Sequence, residues 1–159
     1  MEKLLLSEIA HCLNAECPEE KVITEISTDT RNLPAGCLFI AIRGERFDGH
    51  AFIKQAIENG AAAALSEYPV DGCPCIVVKN TRTALLKLAK YYCSKFNPIL
   101  VGITGSVGKT TTKEMIALVL SEKYKTLKTQ GNLNNEIGLP KTLFNLDSSY
   151  QAAVIEMGM

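Results

Sequence analysis

The sequence carries no excess of charge: 17 basic and 17 acidic side chains cancel over 159 residues. A balanced chain lacks the general electrostatic drive toward nucleic acid or an anionic lipid surface. It also lacks any apolar run near the roughly 18–20 residues of a membrane span. The N-terminus, MEKLLLSEIAH, offers three consecutive leucines before Ser7 and Glu8. That is too short for a secretory leader, and no small-residue cleavage site follows. Histidine is scarce, with His11 and His50 alone, and the six cysteines form no CxxC pair. No zinc-ligand spacing results. A disulfide framework or metal site therefore competes with buried, reduced thiols, and the reduced state is favoured. Cys37, inside GCLFIAI, has the setting of a small hydrophobe. No repeat or low-complexity tract is present. These absences point to a soluble cytoplasmic protein with no membrane insertion, whose charge-dependent chemistry is local.

What is present is an ordinary globular composition, 47% hydrophobic, enough for a packed core. Residues 4–13 read as a short helix. Strands are expected around 22–27 and 37–42, separated by a turn at Pro34 and Gly36. Phe52, Ile53, Ala56 and Ile57 recur at helical spacing, with Gly60 as the stop. Segments 61–65 and 75–78 read as buried strands. Thr81 then opens a helix striped by Leu85, Ala89, Tyr92 and Phe96.

Asn97-Pro98 marks a boundary, because the residue before a proline is pushed out of helical geometry. Beyond it the spacing predicts strand 99–103, a glycine-rich turn, helix 109–121, a strand near 126–128, a helix near 136–146 and strand 152–155. Strands alternating with helices give an α/β class, with a mostly parallel sheet in the second unit. The expected domains are 1–97 and 98–159. The second is small for a sheet that must be covered on both faces, so it reads as a truncated domain. The competing reading is a complete small α/β protein.

The sharpest motif is VGITGSVGKTTT at 101–112. An apolar strand runs into a glycine-rich turn, then Gly-Lys-Thr, then a helix with Met115, Ile116, Val119 and Leu120 expected on its buried side. Glycines let backbone N–H groups wrap phosphate oxygens, and a helix N-terminus adds partial positive charge. Lys109 reaches the β- and γ-phosphates in such a loop, and the Thr110 hydroxyl ligates Mg²⁺. The general P-loop pattern wants a glycine where Ile103 stands, so Gly105 and Gly108 carry the turn here. The bland alternative is an ordinary strand-to-helix turn. ATP or GTP binding is the stronger inference.

TGSVGKTTTKE resembles the ATP loop of the Mur ligases, which use this shortened glycine pattern. GNLNNEIGLP and the terminal VIEMGM narrow the resemblance, and the front of the chain agrees, with its STDTR turn and DGH element. The three blocks stand in the family's order and cover nearly the whole sequence. The resemblance implies a small mixed α/β UDP-binding domain followed by the start of a P-loop ATPase domain. It implies ATP and Mg²⁺ as cofactors, UDP-N-acetylmuramoyl-tripeptide and D-alanyl-D-alanine as substrates, no nucleic acid, and a monomer at full length. The implied reaction activates the tripeptide carboxylate as an acyl phosphate, because oxide cannot leave, and the dipeptide amine then displaces phosphate. That work is mainly phosphate positioning and charge neutralisation.

By the same resemblance the loop Thr104, Gly105, Ser106, Val107, Gly108, Lys109, Thr110 and Thr111 binds nucleotide. Val107 departs from the asparagine common in the family's loop. Lys109 and Glu156 are the implied catalytic residues, and Thr110 with Glu156 the implied Mg²⁺ ligands. Glu156 by itself is equally a solvated strand end. Asn134 and Asn135 lie in the segment placed near nucleotide and substrate, or simply cap the next helix. Ser27, Asp29 and Arg31 are implied uridine contacts, against the reading of Asp29 and Arg31 as a surface ion pair. Asp48, Gly49 and His50 are the implied diphosphate and sugar turn, against Asp48 as a plain helix cap.

The family's second-metal residues and closing-domain arginines have no counterpart positions here. The chain is therefore expected to be a fragment unable to catalyse alone. Alternatives are the family member that adds the third amino acid, a polyglutamate or cyanophycin ligase, a UDP-sugar-binding module with a non-catalytic phosphate loop, and a P-loop switch.

Overall fold

Leu4–Leu5 opens the chain as strand β1, and helix α1 follows over Leu6–Leu13. The structure, a computed structural model, describes residues 1–44 and 47–158. Glu45, Arg46 and Met159, the last of which ends VIEMGM, lie outside the described residues. Leu6, Ile9, Ala10 and Leu13 bury one face of α1 at helical spacing. The Glu8 carboxylate accepts the Leu5 N–H at 3.0 Å, and Asn14 ends the helix in the left-handed region. The first two residues of the expected helix are strand because their partner is a second short strand, β2 (Val22–Ile23), which pairs with them antiparallel.

The run expected as one strand over 22–27 is two. Thr24 breaks it: its N–H donates to Gly36 O and its hydroxyl to Ala35 O. The chain thus passes from the small antiparallel pair into β3 (Ile26–Ser27) of a second sheet. That sheet also contains β4 (Leu38–Ile40), β5 (Ala63–Ser66) and β6 (Cys75–Val77), in the order β3-β4-β5-β6, with all neighbours parallel. A 3₁₀ turn at Gly49–Phe52 and helix α2 (Ile53–Glu58) connect β4 to β5. Cys37, Phe39 and Ala41 point to one face and pack with Ile53, Ala56, Ala61 and Ala64. Leu38, Ile40 and Ile42, on the other face, are equally buried. Burial on both sides is what a parallel sheet requires.

Helix α3 covers Thr81–Ser94, and Asn97 takes a left-handed backbone before Pro98. Strand β7 (Ile99–Ile103), helix α4 (Lys109–Ser121), strand β8 (Thr126–Lys128), helix α5 (Gly138–Leu143) and strand β9 (Ala152–Glu156) follow. The order in this sheet is β7-β9-β8, parallel throughout, with every residue of β9 buried. The Tyr92 hydroxyl donates to Leu146 O at 2.7 Å. Helix α5 is shorter than expected because the Asn135 side chain accepts the N–H groups of Ile137 and Gly138 and starts it later.

The expected buried stripe of α4 is half wrong. Met115 and Val119 are exposed, together with Leu118, while Lys113 and Ala117 are buried and Ile116 and Leu120 half-buried. The face toward β9 is set by Ile103, Val154 and Ala117, a narrower apolar contact than the helix offers. Residues Met1–Leu88 and Ala89–Met159 form two compact units, the division falling within α3. No helix among the described residues is long and apolar enough to cross a membrane.

Candidate functional site

In the second unit, β7 delivers the chain to a loop that folds sharply into α4. Gly108 stands at the helix start with φ 76°, a left-handed backbone that glycine adopts freely. Thr104, Ser106, Val107, Thr110 and Thr111 are exposed, while Gly105 and Lys109 are half-buried. The Lys109 ammonium lies back across the loop and donates to Gly105 O at 2.7 Å. A lysine held over exposed loop backbone, at the N-terminus of a 13-residue helix, presents positive charge to an anion. Val107 is 87% exposed, so its side chain is not packed into the body of the unit.

Strand β9 brings Glu156 to the same place. Its residues pair in register with β7, Ile103 opposite Glu156, so the carboxylate stands beside the start of the loop. The Thr110 hydroxyl donates to Glu156 Oε2 at 3.1 Å, and the Asn134 amide donates to Oε1 at 3.0 Å. The Glu156 N–H donates to the buried Thr129 hydroxyl at 2.9 Å. Asn134 also holds the strand end through its carbonyl, which accepts the Gly158 N–H. The Asn134 hydrogen bond, then that of Thr110 and the nearby lysine charges, hold the Glu156 carboxyl below its ordinary range against the opposing effect of burial.

Thr110 and Glu156 are hard oxygen donors set side by side. No cluster of three or more His, Cys, Asp or Glu residues suited to a metal occurs among the described residues. A cation here would take its remaining ligands from phosphate and water, which is the habit of Mg²⁺ rather than of a caged metal. The donor set fits.

In the first unit the expected residues gather beyond the carboxyl ends of parallel strands, where open α/β sheets place ligands. Ser27 ends β3, and its buried hydroxyl accepts the Asp29 N–H at 3.2 Å. Asp29 receives Arg31 in a two-pronged pair, with Nε to Oδ1 at 2.9 Å and Nη2 to Oδ2 at 2.6 Å. The Arg31 side chain is otherwise exposed, and the Asp29 carboxylate raises its pKa.

After β4, Asp48 accepts the His50 N–H at 3.0 Å and meets His50 Nδ1 at 2.5 Å. His50 Nε2 accepts the Glu67 N–H at 3.0 Å, which leaves Nδ1 as the ring nitrogen that faces Asp48. The ring is buried and stacks on Tyr68. Gly49 lies so close to the segment that follows β4 that a Cβ would stand 2.8 Å from Ile42 N and O. Gly49 and His50 thus build the turn from inside, whereas Asp48, held to about pKa 2 mainly by His50, faces outward with Arg43.

The structure adds residues absent from the expected set. Arg43, Glu67 and Tyr68 complete the Asp48–His50 network, with Arg43 also 3.8 Å from Glu67. Thr129 and Lys113 complete the surroundings of Glu156. Lys113 follows Lys109 by one helical turn, a spacing that marks it as facing the same way.

Comparison with known proteins gives consistent matches across both units. Residues 22–92 match the family model "Mur ligase family, catalytic domain", and residues 103–159 match "Mur ligase middle domain". The chain is 48% identical to the UDP-N-acetylmuramoyl-tripeptide–D-alanyl-D-alanine ligase of Bacillus subtilis over 89% of its length, covering 32% of that protein. It is 45% identical to the ligase of the same name from Escherichia coli over 99% of its length, covering 35% of it. A crystal structure of MurF from Acinetobacter baumannii superposes with a TM-score of 0.94 at 37% identity, covering all of this chain and 36% of that one. A MurF ligase from Thermotoga maritima in complex with ADP superposes at 0.77, with 38% identity, over 84% of this chain and 31% of that one. The chain spans about a third of the length of the curated relatives it matches.

Proposed function

The chain belongs to the Mur ligase family, and from that premise we propose that it forms the substrate-binding front of an ATP-dependent ligase. The ligase joins D-alanyl-D-alanine to UDP-N-acetylmuramoyl-tripeptide through an acyl phosphate, in the cytoplasmic phase of peptidoglycan precursor synthesis. The observation that carries this reading is the convergence of Lys109, Thr110 and Glu156 at the mouth of the glycine loop. The same-named relatives favour the dipeptide-adding reaction over addition of the third amino acid. An intact Lys109 and Thr110 speak against a non-catalytic loop.

In this reading residues 1–97 hold the UDP-sugar and residues 98–159 the nucleotide. Lys109, the backbone amides of the loop and the α4 N-terminus hold the ATP phosphates and offset their charge. Thr110 and Glu156 hold Mg²⁺, which supplies neutralisation of phosphate charge during transfer. Asn134 keeps the Glu156 carboxylate turned toward Thr110. Asn135 starts α5 and so fixes the segment that carries Asn134. Arg31 and Asp29 contact the uridine end of the substrate. Asp48, supported by Gly49 and His50, orients Arg43 beside the diphosphate.

Two calorimetric titrations of the 159-residue chain test the two halves. Mg²⁺–ATP binding should weaken in Lys109→Ala with UDP-N-acetylmuramoyl-tripeptide binding kept, and the reverse should hold for Arg31→Ala. A folded chain that binds neither ligand contradicts the reading.

A further inference from the structure

Lys113 is a lysine that the reaction described above does not use, yet it is 2% exposed. Burying an ammonium is costly unless it is paired, and its flexible stem ordinarily carries the charge out to water. Here the charge stays inside. Lys113 Nζ lies 3.8 Å from Glu156 Oε2, the oxygen that also accepts the Thr110 hydroxyl, and 3.3 Å from Glu114 Oε1. Glu114 is half-exposed to solvent and shares its carboxylate, Oε1 facing Lys113 and Oε2 facing Lys128 on β8. The buried partner of Lys113 is therefore Glu156.

A fixed positive charge beside a cation-binding carboxylate has a definite consequence. A bare divalent ion approaching Thr110 and Glu156 meets an ammonium that solvent does not screen, so the two cations compete for one carboxylate. Nucleotide phosphates bring the additional negative charge that lets both stay. We propose that Lys113 is a positioning residue that makes cation loading conditional on nucleotide. It keeps the Glu156 carboxylate ordered and oriented before the ligand arrives, and it disfavours a divalent ion that comes without a nucleoside triphosphate. This inference rests on the assignment of Thr110 and Glu156 to the cation.

The test is Mn²⁺ binding, followed by electron paramagnetic resonance on the 159-residue chain with and without ATP. Only binding that disappears in Glu156→Gln is counted. Lys113→Met, which keeps the stem and removes the charge, should bind Mn²⁺ alone about tenfold more tightly than the native chain, a size set by one unscreened like charge nearby. Lys113→Arg should behave as the native chain does. With ATP present the variants should differ less, so the advantage that ATP confers on Mn²⁺ shrinks in Lys113→Met.

A folded Lys113→Met that binds Mn²⁺ alone no better than the native chain overturns the inference and leaves the cation site standing. Absence of Glu156-dependent Mn²⁺ binding in the native chain with ATP overturns the cation site itself, and the inference falls with it. Lys113→Gln replaces the methionine variant if that one does not fold. Unfolding of both neutral variants, with the arginine variant intact, makes Lys113 a structural counter-ion and likewise overturns the inference.

Discussion

Thr110 and Glu156 lie 46 positions apart, and the hydroxyl of one donates to the carboxylate of the other at 3.1 Å. Sheet register produces this contact. β9 is the central strand, and its last residue pairs with the last residue of β7, from which the loop springs. Lys109, one residue before Thr110, completes the group from the first turn of α4.

Lys109→Ala removes the lysine seated over the loop. A charge-assisted hydrogen bond is worth about 1.5–3 kcal/mol, so ATP affinity should fall by about ten- to a hundredfold. Isothermal titration with Mg²⁺–ATP measures it. An unchanged dissociation constant would place the phosphates elsewhere.

Asp48 couples the first unit's stability to acid. Its pKa in the folded chain is lowered to about 2 from 3.8, chiefly by the hydrogen bonds with His50. A depressed carboxyl stabilises the fold above its unfolded pKa and loses that contribution as pH falls through the folded value. The native chain should therefore exceed Asp48→Asn in urea resistance at neutral pH by a constant margin. That margin should shrink between about pH 4 and pH 2. A margin that stays flat across this window would mean the Asp48–His50 pair does not form.

Gly49→Ala tests the close approach of the turn to the backbone just after β4. A Cβ there meets Ile42 N and O at 2.8 Å, and both are backbone atoms that cannot swing aside. Overpacking of this kind costs about 1–3 kcal/mol. A lower urea midpoint at unchanged slope is expected, and a midpoint equal to the native one would show that the turn sits further from the strand.

Leu118→Lys probes the outer face of α4. Leu118 is 69% exposed, so the substitution should change the stability of the 159-residue chain by less than about 0.5 kcal/mol. A loss of several kcal/mol in a thermal or urea melt would mean that this face is packed within the chain.

Much of this architecture is legible because its signals are local. The glycine loop, the strand before it and the helix after it fall at residues 99–121 in sequence and structure alike, since turn chemistry and helix initiation act over a few residues. Cys37, Phe39 and Ala41 alternate with their neighbours and form one face of the core. The phase of α4 is a different matter. Met115, Ile116, Leu118, Val119 and Leu120 cover more than half the helix circumference, so spacing alone does not say which side meets β9.

Lys113 is hidden for a related reason. Hydropathy assigns a lysine to water, and the buried position of Glu156 at the end of β9, with Glu114 on the same helix, reverses that. Arg43, Glu67 and Tyr68 join Asp48 and His50 through the pairing of β4 with β5, a contact that no motif encodes. The split of 22–27 into β2 and β3 depends on Thr24 bonding to Ala35 and Gly36 rather than to a strand partner.

The central claim, that this chain is the front of a ligase coupling ATP to dipeptide addition, is tested most directly by phosphate release. The measurement follows inorganic phosphate from ATP in the protein that carries this sequence, with each substrate supplied alone and both together. Release that requires UDP-N-acetylmuramoyl-tripeptide and D-alanyl-D-alanine together, and that disappears in Glu156→Gln, is the predicted result. Equal release when a single amino acid replaces the dipeptide would contradict it.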